Sequence, residues 1–145
     1  MPIPAFDSEG VLPEGRHQCS IDEIEESLVD DPQFESSSTR RKIFSDFRAA
    51  EGLLASFDQN LIERIWIGGG FASTSQNPED IDVTFMLNEK SYLELSNRAK
   101  ERLSKLCRKG GFKATNLDVD GFFFVHELNA MPWAGAWLGD SANAT

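Results

Sequence analysis

Apolar positions at Ile43, Phe47, Ala50, Leu54 and Phe57 recur at intervals of three and four residues, which predicts an amphipathic helix over 39–57. Upstream, Ser20 and Glu23 form a capping box ahead of the stripe Ile21, Ile24 and Leu28, and Pro32 stops the helix they open. Residues 64–67 read as a strand that enters the glycines Gly68, Gly69 and Gly70. A polar loop over 73–79 separates it from a second strand over 80–87. Leu95, Ala99, Leu103 and Leu106, with Asn88 as cap and Gly110 and Gly111 as terminators, predict a helix over 89–109. A third strand is expected over 112–125, ending in Phe122, Phe123, Phe124 and Val125.

These elements imply an α+β protein, a small mixed β-sheet with helices packed against it. Prolines 2, 4 and 13 and glycines 10 and 15 mark residues 1–19 as an extended N-terminal arm. The domain proper is expected over 20–128, followed by a C-terminal tail, 129–145, whose Trp133 and Trp137 dock as an apolar patch. With 145 residues, 40% of them hydrophobic and 11 of them Phe, the chain suits one packed core and excludes global disorder. It has no apolar run of membrane-spanning length and its N-terminus lacks the pattern of a signal peptide, so a cytoplasmic protein without a membrane partner is expected. Cys19 and Cys107 have no partner at metal-binding spacing and read as reduced thiols; His17 and His126 are assigned no role.

Net charge of −10 argues against nucleic acid until its distribution is examined. Residues 1–35 hold ten acids against Arg16 alone, and therefore carry −9. The other 110 residues hold fourteen acids and thirteen bases. Within them, Lys90, Arg98, Lys100, Arg102, Lys105, Arg108 and Lys109 outnumber Glu89, Glu94 and Glu101, a net +4 on one predicted helix. That face is a solvated helix surface, a contact for phosphate, or a dock for the acidic arm.

Chemistry concentrates where the second strand begins. Side chains alternate along a strand, so Asp80, Asp82, Thr84 and Met86 share one face and Ile81, Val83, Phe85 and Leu87 the other. Two carboxylates side by side repel unless a cation or hydrogen-bond donors compensate, and a divalent metal with oxygen ligands supplies that compensation. Ahead of them, Gly69 and Gly70 allow backbone N–H groups to approach a phosphate, and Ser73 or Thr74 offers a hydroxyl donor.

On these residues the sequence resembles the DNA polymerase beta type nucleotidyltransferase superfamily, whose signature sets a glycine pair ahead of an acid–hydrophobic–acid strand. Here these are Gly69-Gly70 and, ten residues on, Asp80-Ile81-Asp82. The resemblance implies a nucleotidyltransferase-like fold, Mg²⁺ or Mn²⁺ held by Asp80, Asp82 and a third acid, and transfer of a nucleoside monophosphate from an NTP. The third acid belongs to a later strand, where Leu117-Asp118-Val119-Asp120 offers Asp120, preferred for its place beside the Phe122 strand core, or Asp118.

A closer resemblance runs over 11–125, through Leu12-Pro13-Glu14-Gly15-Arg16-His17, Arg40-Arg41, Trp66-Ile67-Gly68-Gly69-Gly70-Phe71 and Pro78-Glu79-Asp80-Ile81-Asp82-Val83, to a bacterial and phage family of stand-alone nucleotidyltransferase-like proteins. That family carries Asp-Gly-Ser-Phe where this chain has Gly68-Gly69-Gly70-Phe71, so one phosphate-binding hydroxyl is missing. There is also no room for the helical domain that grips base and acceptor in larger members. Minimal members often act with a toxin–antitoxin partner. The implied partners are an NTP, a protein or RNA acceptor, and a protein partner or second copy of the chain. A catalytically inactive interaction protein on the same fold is the alternative.

Overall fold

Ser20 caps the first helix as its sequence requires: its hydroxyl accepts from the Glu23 N–H and the Glu23 carboxylate accepts from the Ser20 N–H. This is α1, Ile21–Leu28, in a computed structural model that describes residues 3–13 and 17–126. A single-turn 3₁₀ segment, Pro32–Phe34, leads to α2, Arg40–Phe57. The strands are β1, Ile62–Gly68, β2, Ile81–Leu87, and β3, Val119–Val125. Between β2 and β3 lie α3, Glu89–Leu93, and α4, Asn97–Leu106, then a 3₁₀ turn, Lys113–Thr115. The tail with Trp133 and Trp137 lies outside the described residues.

The strands form one mixed sheet in the order β1-β2-β3, antiparallel between β1 and β2 and parallel between β2 and β3. The α+β class is therefore as expected. One face of β2 buries Ile81, Val83, Phe85 and Leu87 in a core shared with Ile43, Phe47, Ala50 and Leu54 of α2 and Leu103 of α4. The helical stripe and the strand alternation thus meet in a single apolar layer. Asp82 and Thr84 turn to the other face.

Two boundaries differ from the sequence expectation. The helix expected over 89–109 is two helices, because Asn88 caps α3 and Ser96 caps a second start, its hydroxyl accepting from the Ala99 N–H at 3.1 Å. The strand expected over 112–125 begins only at Val119. Phe112 is fully buried, its ring so close over Gly121 that a Cβ there would lie 2.5 Å from it, and the backbone turns there into the 3₁₀ segment. Asn116, in the left-handed conformation at φ 66°, ends that turn and redirects the chain into β3.

The arm is not free. Val11 forms a β-bridge with Ser73, and the Thr74 N–H donates to the Gly10 carbonyl at 2.9 Å. These contacts join the arm to the glycine loop and not to the basic residues of α3 and α4. Glu25 of α1 and Asp30 just beyond it find a different cation, since Arg41 pairs with Glu25 at 2.6 Å and with Asp30.

Candidate functional site

Where β1 ends, Gly68 faces Asp82 across the antiparallel ladder, and Asp82 faces Asp120 across the parallel one. The last residue of one strand and two acids of the others therefore lie in one row across the sheet, with neighbouring strands about 5 Å apart. Gly69 follows with φ +73° and passes so close beneath Asp82 that a Cβ there would overlap the carboxylate. The glycine is required twice, by its backbone angle and by this approach. Asp82 is open to solvent on one side and backed by the loop on the other.

The carboxylate of Asp82 is held above its ordinary pKa, first by this shielding from water, then by the negative fields of Asp80 and Asp120 and a hydrogen bond with Asp120. Lys113 acts in the opposite direction. Its ammonium lies 2.6 Å from Asp80 Oδ2 and is itself held above its usual pKa, first by that bond and then, against partial desolvation, by the fields of Asp80, Asp120 and Glu79. Asp80, just ahead of β2, is thus drawn to a lysine while Asp82 and Asp120 face each other. Among the described residues no three carboxylate, imidazole or thiol side chains are arranged as a ready metal-ligand set.

Asp118 and Asp120 have different partners. Asp118 precedes β3 and its carboxylate binds Lys42 at 2.9 Å, which also holds Asp46 at 2.5 Å; the Asp118 N–H donates to Asp46. It belongs to the α2 side of the sheet. Asp120 is the acid in register with Asp82. Of the other expected groups, the Ser73 hydroxyl is engaged within the loop, donating to the Gly70 carbonyl at 2.6 Å and accepting from the Ser75 N–H at 3.1 Å. Gly70 is exposed at the turn. His126 sits at the opposite end of β3, 3.4 Å from Glu63, and His17 binds the Pro13 carbonyl.

Sequence reasoning missed the residue that shapes the loop. Arg40, the first residue of α2, is 1% exposed and its guanidinium donates to the carbonyls of Leu28, Gly70, Phe71, Ser73 and Ser75. The Phe34 ring covers it at 3.7 Å and Phe71 flanks it at 5.1 Å. Burial pulls its pKa down to about 10, which leaves it charged at neutral pH. Four of its five carbonyl partners belong to residues 70–75, so one side chain fixes the inner side of the loop whose outer side meets the acids.

A family model matches residues 4–144, nearly the whole chain, and its description is a family of unknown function, DUF6932. The chain belongs to that family. No curated protein and no solved structure matches it. In this DUF6932 member the matched region takes in the arm, the Arg40-braced loop and the row of acids alike.

Proposed function

We propose that this domain is a metal-dependent nucleotidyltransferase-like protein that moves a nucleoside monophosphate from an NTP to a hydroxyl of a protein, RNA or small acceptor. The observation that carries the reading is the in-register pair Asp82 and Asp120 beside Gly69. Two hard oxygen donors stand side by side, Asp82 held above its ordinary pKa by shielding from water and then by the neighbouring acids, and that chemistry fits Mg²⁺ or Mn²⁺. Asp82 and Asp120 would hold the ion, joined by Asp80 once it leaves Lys113. A divalent ion held there would supply positive charge to the phosphates.

The chain's own groups then have distinct tasks. Gly69 and Gly70, without side chains, leave room for the phosphates against the loop backbone, and Arg40 keeps that backbone in place from behind. A carboxylate oxygen of Asp120 takes the proton of the attacking hydroxyl as its oxygen bonds to the α-phosphorus and pyrophosphate leaves. An activity that consumes NTP suits a cytoplasmic protein, and among the described residues no helix is long and apolar enough to cross a membrane. The ion pair of Asp80 with Lys113 favours a second reading, an inactive member that uses the same fold to bind a toxin–antitoxin or defence-related partner or a second copy of itself.

Calorimetric titration with Mg²⁺ and each NTP, repeated on Asp82→Ala, separates the two. The expected result is nucleotide binding that requires the metal and falls at least about tenfold in the variant, a loss near 1.4 kcal/mol, with the thermal transition retained. Conversion of labelled NTP then tests catalysis. Equal nucleotide affinity in both proteins would overturn the enzyme reading.

A further inference from the structure

Lys113 stands on a turn fixed to the strand that carries Asp120. Phe112, its neighbour, is fully buried with its ring against Gly121, and the Thr115 hydroxyl donates to the Phe112 carbonyl at 2.6 Å. The backbone at 113 is therefore held while the side chain remains 47% exposed. Its ammonium reaches Asp80 at 2.6 Å and lies in the fields of Asp120 and Glu79 as well. An ion pair exposed on its lysine side contributes little to stability and is open to exchange. What it alters is the charge balance of the row of acids.

Resting on the nucleotidyltransferase reading of these acids, we infer that Lys113 is a resident cation of the site that couples metal entry to nucleotide entry. Asp80, Asp82 and Asp120 carry three negative charges when ionised, and Lys113 cancels one of them. A divalent ion arriving alone meets a cluster whose attraction has been reduced, and it must displace the ammonium to gain Asp80. A triphosphate brings about four negative charges of its own, so with it present the released ammonium has phosphate oxygens to bind. The same lysine therefore opposes the bare metal and assists the metal–nucleotide complex. A residue that served only to hold the turn would move both affinities together or neither.

The test uses Mn²⁺ alone, and Mn²⁺ with a non-hydrolysable nucleoside triphosphate analogue, on wild type, Lys113→Met and Lys113→Arg. In Lys113→Met, Mn²⁺ alone should bind about tenfold tighter, the scale of one charge removed a few ångströms away at a partly solvated site. The triphosphate analogue, at saturating Mn²⁺, should bind about tenfold more weakly, with a shallower dependence on salt. Lys113→Arg should restore wild-type order. If both proteins bind Mn²⁺ with equal affinity, or Lys113→Met binds it more weakly, the role of Lys113 is overturned while the metal site stands. If no variant binds Mn²⁺ with or without the analogue, the nucleotidyltransferase reading fails and this inference falls with it.

Discussion

The two sides of the Gly68–Ser75 loop treat charge in opposite ways. On the inner side a single cation, Arg40, is buried and satisfied by neutral carbonyls. On the outer side three acids gather at the surface with one exposed lysine among them. Burying a charge is costly unless its hydrogen bonds are complete, and the carbonyls around Arg40 complete them. Asp82 has no such set of donors: shielding from water first, and then the fields of Asp80 and Asp120, hold its pKa up. The inner side is resolved for stability; the outer side leaves a charge imbalance that a ligand would relieve.

Arg40→Met breaks the comparison at its stronger half. It leaves the loop carbonyls without their donor, and the domain should lose about 3–5 kcal/mol, read as a lowered urea midpoint. An unchanged midpoint would mean that water replaces the guanidinium, and that the loop does not depend on it.

Gly69→Ala tests the shared element. A side chain at φ +73° costs about 1–2 kcal/mol, and its overlap with Asp82 should add to that. Removing the overlapping carboxylate in Gly69→Ala/Asp82→Ser should recover part of the loss, as a double-mutant cycle would show. Additive effects would separate the glycine from the acid.

The smallest effect sharpens the outer half. Because the pKa of Asp82 is raised on folding, its contribution to stability is present in acid and is lost as pH rises through its folded pKa. Asp82→Asn should therefore be as stable as wild type near pH 3 and more stable at pH 7. The gain should be no more than about 1 kcal/mol, since the group is open to solvent on one side and its interactions are screened. A lower stability at pH 7 would make Asp82 a structural acid.

The sequence made some of this plain and hid the rest for physical reasons. Asp80 and Asp82 followed from strand alternation beside a glycine turn, a local pattern, and the buried stripe of α2 followed from its period. In sequence Asp120 is preferred over Asp118 for its place beside the Phe122 strand core, but its register with Asp82 and the pairing of Asp118 with Lys42 on α2 needed the three-dimensional arrangement. Arg40 enters the sequence reading only as half of the Arg40-Arg41 pair that opens α2, since nothing local distinguishes it from Arg41, whose partners are Glu25 on α1 and Asp30 just beyond it. Lys113 was assigned to a strand that starts six residues later. The split at Ser96 could have been read, because a serine followed three residues later by Ala99 within a helical stripe still offers a cap.

Arg40 also determines where the site is able to move. A loop whose carbonyls at 70, 71, 73 and 75 converge on one buried side chain has no part that opens alone, so its amides should exchange with solvent only when the helix start and the loop come apart together. The side chains opposite are held only by the Lys113–Asp80 pair and the contact of Asp82 with Asp120, and such partly exposed groups exchange partners faster than a buried network opens. A ligand entering here would meet one rigid wall and one compliant one.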